Sequence, residues 1–336
     1  MGAIILGALA TLAVVGATLQ GAPAPEPSTA ATIATPPTPL ASPPPVSGVM
    51  DLAAIQAGPH VVFQNVIRDP DYAHVSLVPL DAPAGPRVAS ELICERVHMV
   101  SGQGICLSGE HEAESRYYYA ITFGEDFLPR ERIPLAGPPT FARVSPNGRY
   151  GAASVLTEPP SEEDPEAPTQ TLLIDIAEGT VLGDIEAFAL SRNGVPFDAP
   201  ERDLWGVTFG ADNDRFHATL RTAGNLYLVE GSVQGRRLDV LHPNVSAPAV
   251  SPDGTRVAYA KLVSNIGPTF RFHVLDLATM TETPLAEATS IDDQMEWLDD
   301  ERLLYGLGTD TWLVPSDGSG EPSAFLLDGL SPSVVP

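Results

Sequence analysis

The feature that most restricts what this chain can fold into is a recurring turn. Val250-Ser251-Pro252-Asp253-Gly254, followed by Arg256-Val257-Ala258-Tyr259, repeats Val144-Ser145-Pro146-Asn147-Gly148 and the strand-like run after it. Proline presets φ, Asp or Asn bonds its own backbone, and Gly accepts positive φ. Each box, Ser145, Pro146, Asn147, Gly148 and again Ser251, Pro252, Asp253, Gly254, therefore predicts a tight reversal between two antiparallel strands. Weaker copies are Val100-Ser101-Gly102-Gln103-Gly104 and Glu296-Trp297-Leu298-Asp299-Asp300, the latter followed by Arg302-Leu303-Leu304-Tyr305.

The spacing of these turns gives the architecture. Ser101 to Ser145 is 44 residues and Ser251 to Trp297 is 46, close to the period of a four-stranded propeller blade. The 106 residues from Ser145 to Ser251 hold two such periods and a surplus. The surplus falls in an acidic, proline-containing stretch at 158–168 and a polar stretch at 191–202. The copy hidden between them is Val207-Thr208-Phe209, with its turn at Asp212-Asn213-Asp214 and a second strand at 216–220. Third strands are read at 75–80, 117–122, 172–176, 226–229, 272–277 and 312–314. Six of them predict an all-β, six-bladed propeller of four-stranded blades over residues 49–336, about 48 residues per blade. Blade one opens directly on a second-strand type at 60–67. The C-terminus supplies its first strand, since Ser331-Pro332-Ser333-Val334 lines up with Ala247-Pro248-Ala249-Val250. Closing the ring in this way leaves no open sheet edge.

The first 48 residues cannot join that core. Residues 3–19 are an uncharged apolar run at the length boundary between a signal-peptide core and a membrane span, so residues 1–21 read as a signal peptide or an N-terminal membrane anchor. Residues 22–48 carry nine prolines among Ser, Thr and Ala and a single charged residue, Glu26, which is the composition of a disordered, semi-rigid stalk. An export segment followed by a stalk places the remaining chain outside the cytoplasm, anchored or secreted.

Charge narrows the function classes. With 18 basic and 43 acidic side chains the formal charge is −25 and Lys261 is the only lysine, so no cationic footprint for nucleic acid exists. The same charge opposes an anionic membrane surface, and the membrane is expected to be met only through the N-terminal segment.

No catalytic motif survives inspection. There is no Gly-x-Ser-x-Gly elbow, Lys261 follows no phosphate loop, Gly102-x-Gly104 lacks a third glycine, and His111-Glu112 is followed by Ser115 where a zinc protease needs His. Catalytic, cofactor and metal residues are accordingly assigned as none. Calcium is the one cation considered, at Glu158, Glu162, Glu163, Asp164 and Glu166 or at Asp292, Asp293, Glu296, Asp299, Asp300 and Glu301, because hard cations take several carboxylates. The competing reading of both runs is a solvated surface. Cys94 and Cys106 are the only cysteines. Export favours a disulfide between them, whereas a hairpin with Val100 opposite Ile105 would leave them about 16 Å apart, at ~3.3 Å per residue. A disulfide and two buried thiols both stand.

The Ser-Pro-Asp-Gly boxes, the Trp-Leu-Asp-Asp-Glu variant at 297–301 and the final Ser-Pro-Ser-Val-Val resemble TolB-like β-propellers. The chain is more closely similar to exported single-domain TolB-like translocation proteins of high-GC bacteria. That likeness is carried by Cys94-Glu95-Arg96-Val97, Gly104-Ile105-Cys106-Leu107, Trp205-Gly206-Val207-Thr208-Phe209 and Tyr227-Leu228-Val229-Glu230-Gly231. The resemblance implies a six-bladed propeller, extracytoplasmic placement and no established enzymatic activity. The separate N-terminal α/β domain of TolB has no counterpart in this sequence. A monomeric, non-catalytic scaffold for an envelope protein or small ligand is the functional expectation, with the 158–168 and 191–202 inserts as candidate contact loops. The alternative is a hydrolase or lyase acting on a peptide or saccharide at the channel mouth, and a ligand sensor is a third reading.

Overall fold

The computed structural model describes residues 51–112, 115–159, 167–264 and 269–336. The predicted signal or anchor, the stalk and most of the 158–168 insert lie outside them. Blade 1 pairs Gly329–Val335 with His60–Asn65, His74–Pro79 and Val88–Ile93. Blade 2 is Arg96–Val100, Gln103–Glu112, Ser115–Gly124 and Pro129–Leu135; blade 3 is Pro139–Val144, Tyr150–Leu156, Thr169–Asp175 and Thr180–Asp184. Blade 4 is Asp203–Phe209, Arg215–Thr222, Asn225–Ser232 and Arg237–Pro243; blade 5 is Val245–Val250, Arg256–Ser264, Thr269–Asp276 and Glu282–Pro284. Blade 6 is Met295–Trp297, Arg302–Leu307, Asp310–Pro315 and Ser323–Leu326. The chain thus forms a six-bladed β-propeller whose first blade is closed by the C-terminal strand.

Each sheet is apolar on both faces, because it is covered by a blade on either side. In the second strand of blade 1, Val61 and Phe63 pack with Leu326 of blade 6, whereas Val62 between them packs with Val97 and Met99 of blade 2. Six apolar clusters of described residues result, one at each contact between neighbouring blades. Burial of each large aliphatic or aromatic side chain stabilises by about 1.5–3 kcal/mol.

The boxes build identical turns. Ser145 Oγ donates to Asn147 Oδ1 and accepts from Tyr150 N, while Gly148 (φ +74) donates to Ser145 O. Ser251 Oγ donates to Asp253 Oδ1 and accepts from Arg256 N, while Gly254 (φ +72) donates to Ser251 O. The boxes are also linked to one another: Ser101 Oγ donates to Pro146 O, Asn147 N to Asn213 Oδ1, and Asp253 N to Asp300 Oδ1. The alignment of 331–334 with 247–250 extends to the backbone. Gly206, Ala247 and Ser331 all have positive φ, and the inner strand at each loses register with its partner in a β-bulge.

Two expectations are corrected. The blade 2 hairpin turns at Ser101-Gly102, so Val100 pairs with Gln103 and Cys106 faces Val97, rather than Val100 facing Ile105. The chain also folds back at Cys94 and Glu95, whose amides bond Ala73 O and Leu107 O. Together these bring the cysteine Cα atoms within 5.4 Å, and the structure joins them in a disulfide. Secondly, the 191–202 stretch is not a free loop. Strands Ala189–Arg192 and Val195–Pro196 extend blade 4 to six strands, the first parallel to Arg237–Pro243. Phe197 and Ala199 pack on the blade 3–4 core, and Arg202 is bonded to Glu186 O and Phe188 O. A short helix, Leu52–Gln56, also precedes the first blade and buries Ile55 in the blade 1–2 core.

Closure depends on two serines. Ser331 Oγ bonds both Val97 N and Val97 O, and Ser333 Oγ bonds both Met99 N and Met99 O. Replacing either with Ala leaves a buried amide and carbonyl without that partner, an expected loss of about 1–3 kcal/mol each. A thermal melt of Ser331→Ala/Ser333→Ala should fall by about 2–4 °C per kcal/mol, and removal of residues 331–336 should lower it further; an unchanged melt would show that closure at this seam contributes nothing.

Candidate functional site

Strand alternation decides what enters the central channel. In blade 2, Val97 and Met99 are in the blade 1–2 core and His98 between them faces the other way. In blade 3, Ala142 and Val144 enter the blade 2–3 core and Arg143 does not. In blade 6, Met295 and Trp297 enter the blade 5–6 core and Glu296 does not. Three polar side chains from innermost strands therefore converge on the axis.

Arg143 crosses the ring from blade 3 to blade 6, donating through Nη1 to Glu296 Oε2 and through Nη2 to Met295 O. Glu296 Oε1 accepts from Val334 N at 3.3 Å, and His98 Nε2 stands 3.5 Å from Glu296 Oε2. A backbone amide can only donate, so the Val144 N contact to His98 Nδ1 at 3.2 Å makes Nδ1 the acceptor and puts the ring proton on Nε2. Burial holds the His98 pKa below the ordinary histidine value, only partly offset by the carboxylate of Glu296. Burial alone would raise Glu296, but Arg143 and His98 outweigh it and hold its pKa below the usual carboxylate range. Two residues before Glu296, Gln294 Oε1 accepts from Ala142 N at 3.0 Å, a second tie across the same axis.

This cluster is the floor of a cavity of about 510 Å³. Its walls are Val100, Val144, Phe209, Val250, Trp297 and Leu298, and its rim is made by turn residues of blades 3 to 6, Pro146, Ala211, Pro252, Asp299 and Asp300. The cavity is therefore a funnel opening at the end of the propeller that carries the boxes. Its size and apolar walls are those of a small-molecule or short-peptide site. Trp297 is fixed in the wall by its Nε1 bond to Ala249 O at 2.8 Å and by the Arg256 guanidinium 5.2 Å from its ring centre.

The acidic run from 292 to 301 is not one cluster. Asp292 bonds Ser246 and Asp293 pairs with Arg96 away from the funnel, Glu296 lies in the floor, and Asp299 and Asp300 stand on the rim. Among the described residues no three His, Cys, Asp or Glu side chains come together in a way that would hold a metal ion. The sequence reading missed His98 and Arg143 as a site. Their signal was a charged or titratable residue at the middle of an otherwise apolar innermost strand.

No protein-family model matches the chain, and no curated protein matches it in sequence. Solved structures do match. TolB from Acinetobacter baumannii aligns over 83% of this chain and 66% of its own, with TM-score 0.54 and 13% identity. The fold is that of a TolB-like β-propeller. A Mycobacterium tuberculosis puromycin-hydrolyzing peptidase aligns over 80% of this chain and 43% of its own, with TM-score 0.52 and 13% identity. A chain of a nidogen/laminin complex aligns over 82% and 98%, with TM-score 0.54 and 11% identity. The TolB-like propeller thus spans about two thirds of the TolB chain and less than half of the peptidase, and at these identities the likeness is one of fold.

Two outcomes follow from the floor. Glu296→Gln leaves Arg143 without its buried counter-charge and should cost about 3–5 kcal/mol in urea unfolding, whereas Arg143→Met with Glu296→Met should cost less than that single change; a double variant as unstable as the sum of the two singles would contradict the pairing. Acid should also act against two buried histidines. His98 and the fully enclosed His217, whose pKa is brought down to about 4 chiefly by burial, are both favoured neutral in the folded state. Their contribution is complete above the unfolded histidine value of about 6.5 and is lost as pH falls from there toward the folded values. Glu186, whose carboxyl is pushed up to about 7 chiefly by burial, acts in the opposite sense over the same range, so the comparison between variants carries the test. Stability should fall more steeply, or rise less, from pH 7 to 4 in the native chain than in His217→Leu, and identical profiles would refute this.

Proposed function

We propose that this TolB-like propeller is a non-catalytic, extracytoplasmic binding scaffold whose docking site is the funnel at the box end. The observation that carries this is a preformed apolar cavity whose floor groups have spent their hydrogen bonds on one another. Arg143, Glu296 and His98 hold four blades together, and in that engagement none of them is poised as a nucleophile, acid or base. Rigid walls and a sealed floor suit recognition, where little ordering entropy is lost on binding.

Placement outside the cytoplasm is supported by the Cys94–Cys106 disulfide together with the apolar N-terminal run and the proline-rich stretch after it. Recognition of an envelope protein or a small ligand by the protein as a monomer is consistent with the TolB fold. Hydrolysis by the peptidase is not carried over, because this chain matches less than half of that protein.

The test is site-directed photo-cross-linking in the native envelope. Benzoylphenylalanine in place of Ala211, an exposed rim residue, should give a discrete adduct, while the same group in place of Val195, 64% exposed on the outer edge of blade 4, should not. Equal yields from both positions, or none from Ala211, would remove the funnel as the docking site.

A further inference from the structure

We infer that the funnel takes an apolar peptide segment carrying a basic side chain, whose cation is read by Asp300 at the rim. This rests on the funnel being the docking site. Three box carboxylates around the propeller end, Asp212, Asp253 and Asp299, are each paired with the arginine three residues on, at 2.6, 3.7 and 2.5 Å. Asp300 breaks that rule. Its side chain is oriented by one backbone amide, Asp253 N to Oδ1 at 3.1 Å, and among the described residues no arginine, lysine or histidine lies in ion-pair reach of it. Its main chain is held as firmly, with the carbonyl accepting from Arg256 at 2.6 Å and from Ser316 Oγ at 3.3 Å. The result is an exposed, positioned carboxylate with no ion-pair partner, on the rim of a cavity whose walls include Phe209, Val250, Trp297 and Leu298.

The one cation inside the funnel, Arg143, is committed to Glu296 and Met295 O, so the cavity presents no positive charge to a ligand. An acidic ligand would meet the Asp300 carboxylate, which has no cation paired with it, in a chain that already carries −25. An arginine or lysine side chain satisfies both demands of the site. Its methylene stem lies along apolar surface while its head reaches the rim carboxylate, and the flanking apolar residues of an extended peptide fill the walls. Charge complementarity of this kind sets specificity and association rate, and it weakens with salt.

The experiment titrates the full chain with two fluorescein-labelled probes, Pro-Leu-Arg-Leu amide and Pro-Leu-Glu-Leu amide, followed by fluorescence anisotropy. The arginine probe should bind about tenfold more tightly at low salt, and the difference should shrink toward about 0.3 M salt. Asp300→Asn, which keeps the acceptor for Asp253 N, should weaken the arginine probe about five- to tenfold and leave the glutamate probe no weaker. Ala211→Trp, at an exposed rim position, should block both; thermal melts confirm that each variant is folded. Equal affinity of the two probes, or an unchanged affinity in Asp300→Asn, would overturn the cationic reading while leaving the funnel as a site. Binding of the arginine probe that survives Ala211→Trp would place it elsewhere and remove the funnel reading itself. Binding of neither probe would overturn the peptide assignment.

Discussion

The constraint on which this propeller depends is the free edge of its innermost strands. Each first strand is hydrogen-bonded on one side to its own blade and turns the other side toward the axis, where no strand lies. Buried backbone amides and carbonyls there need partners, and other blades, mostly neighbouring ones, supply them from side chains. Ser331 and Ser333 serve blade 2, His98 and Gln294 serve blade 3, and Thr171 serves Leu204 O of blade 4. Thr219 and Thr208 serve blade 5, whose Ala249 O also receives Trp297 Nε1, and Glu296 serves Val334 of blade 1. The ring is thus a chain of side-chain-to-backbone bonds laid over six apolar interfaces, and Ser and Thr recur in it because their short side chains place an oxygen close to a neighbouring main chain.

From this follows the character of the funnel. An ion pair in a nearly closed channel is costly to desolvate, and it persists here because each partner is also a backbone ligand: Arg143 to Met295 O and Glu296 to Val334 N. The pair spans opposite blades, so it both seals the channel and fixes its diameter. What remains above it is a shallow apolar bowl whose walls are core residues at their last exposed layer, and whose rim is formed by the repeated boxes. Architecture and binding surface are therefore made of the same residues.

The boxes illustrate how a local motif acquires a second role. Their Ser–Asx–Gly bonding closes each hairpin, and the same Asx residues then reach the next box, as Asn147 does to Asn213 and Asp253 to Asp300. The Asp–Arg pairs of blades 4, 5 and 6 neutralise most of the rim. Asp300 differs because it sits one residue beyond the box aspartate of its own blade, where the arginine at 302 is already turned to Asp299.

The sequence by itself determined the blade count, the hairpin turns and the C-terminal closure, because all three rest on local chemistry that repeats: a proline, an Asx and a glycine at fixed offsets, and aliphatic runs between them. It also placed every third strand within a few residues, since two-sided burial makes such strands continuously apolar. Only the tertiary structure decided the disulfide register, the two added strands of blade 4 and the Arg143–Glu296–His98 floor. A two-residue shift in one hairpin moves Cys106 opposite Val97, and no pattern of apolar residues distinguishes that register from its neighbour two residues away, because a shift of two keeps every side chain on the same face. The floor joins residues up to 198 apart in sequence, from His98 to Glu296. Their meeting is set by ring closure, a property of all six blades together that no single segment encodes.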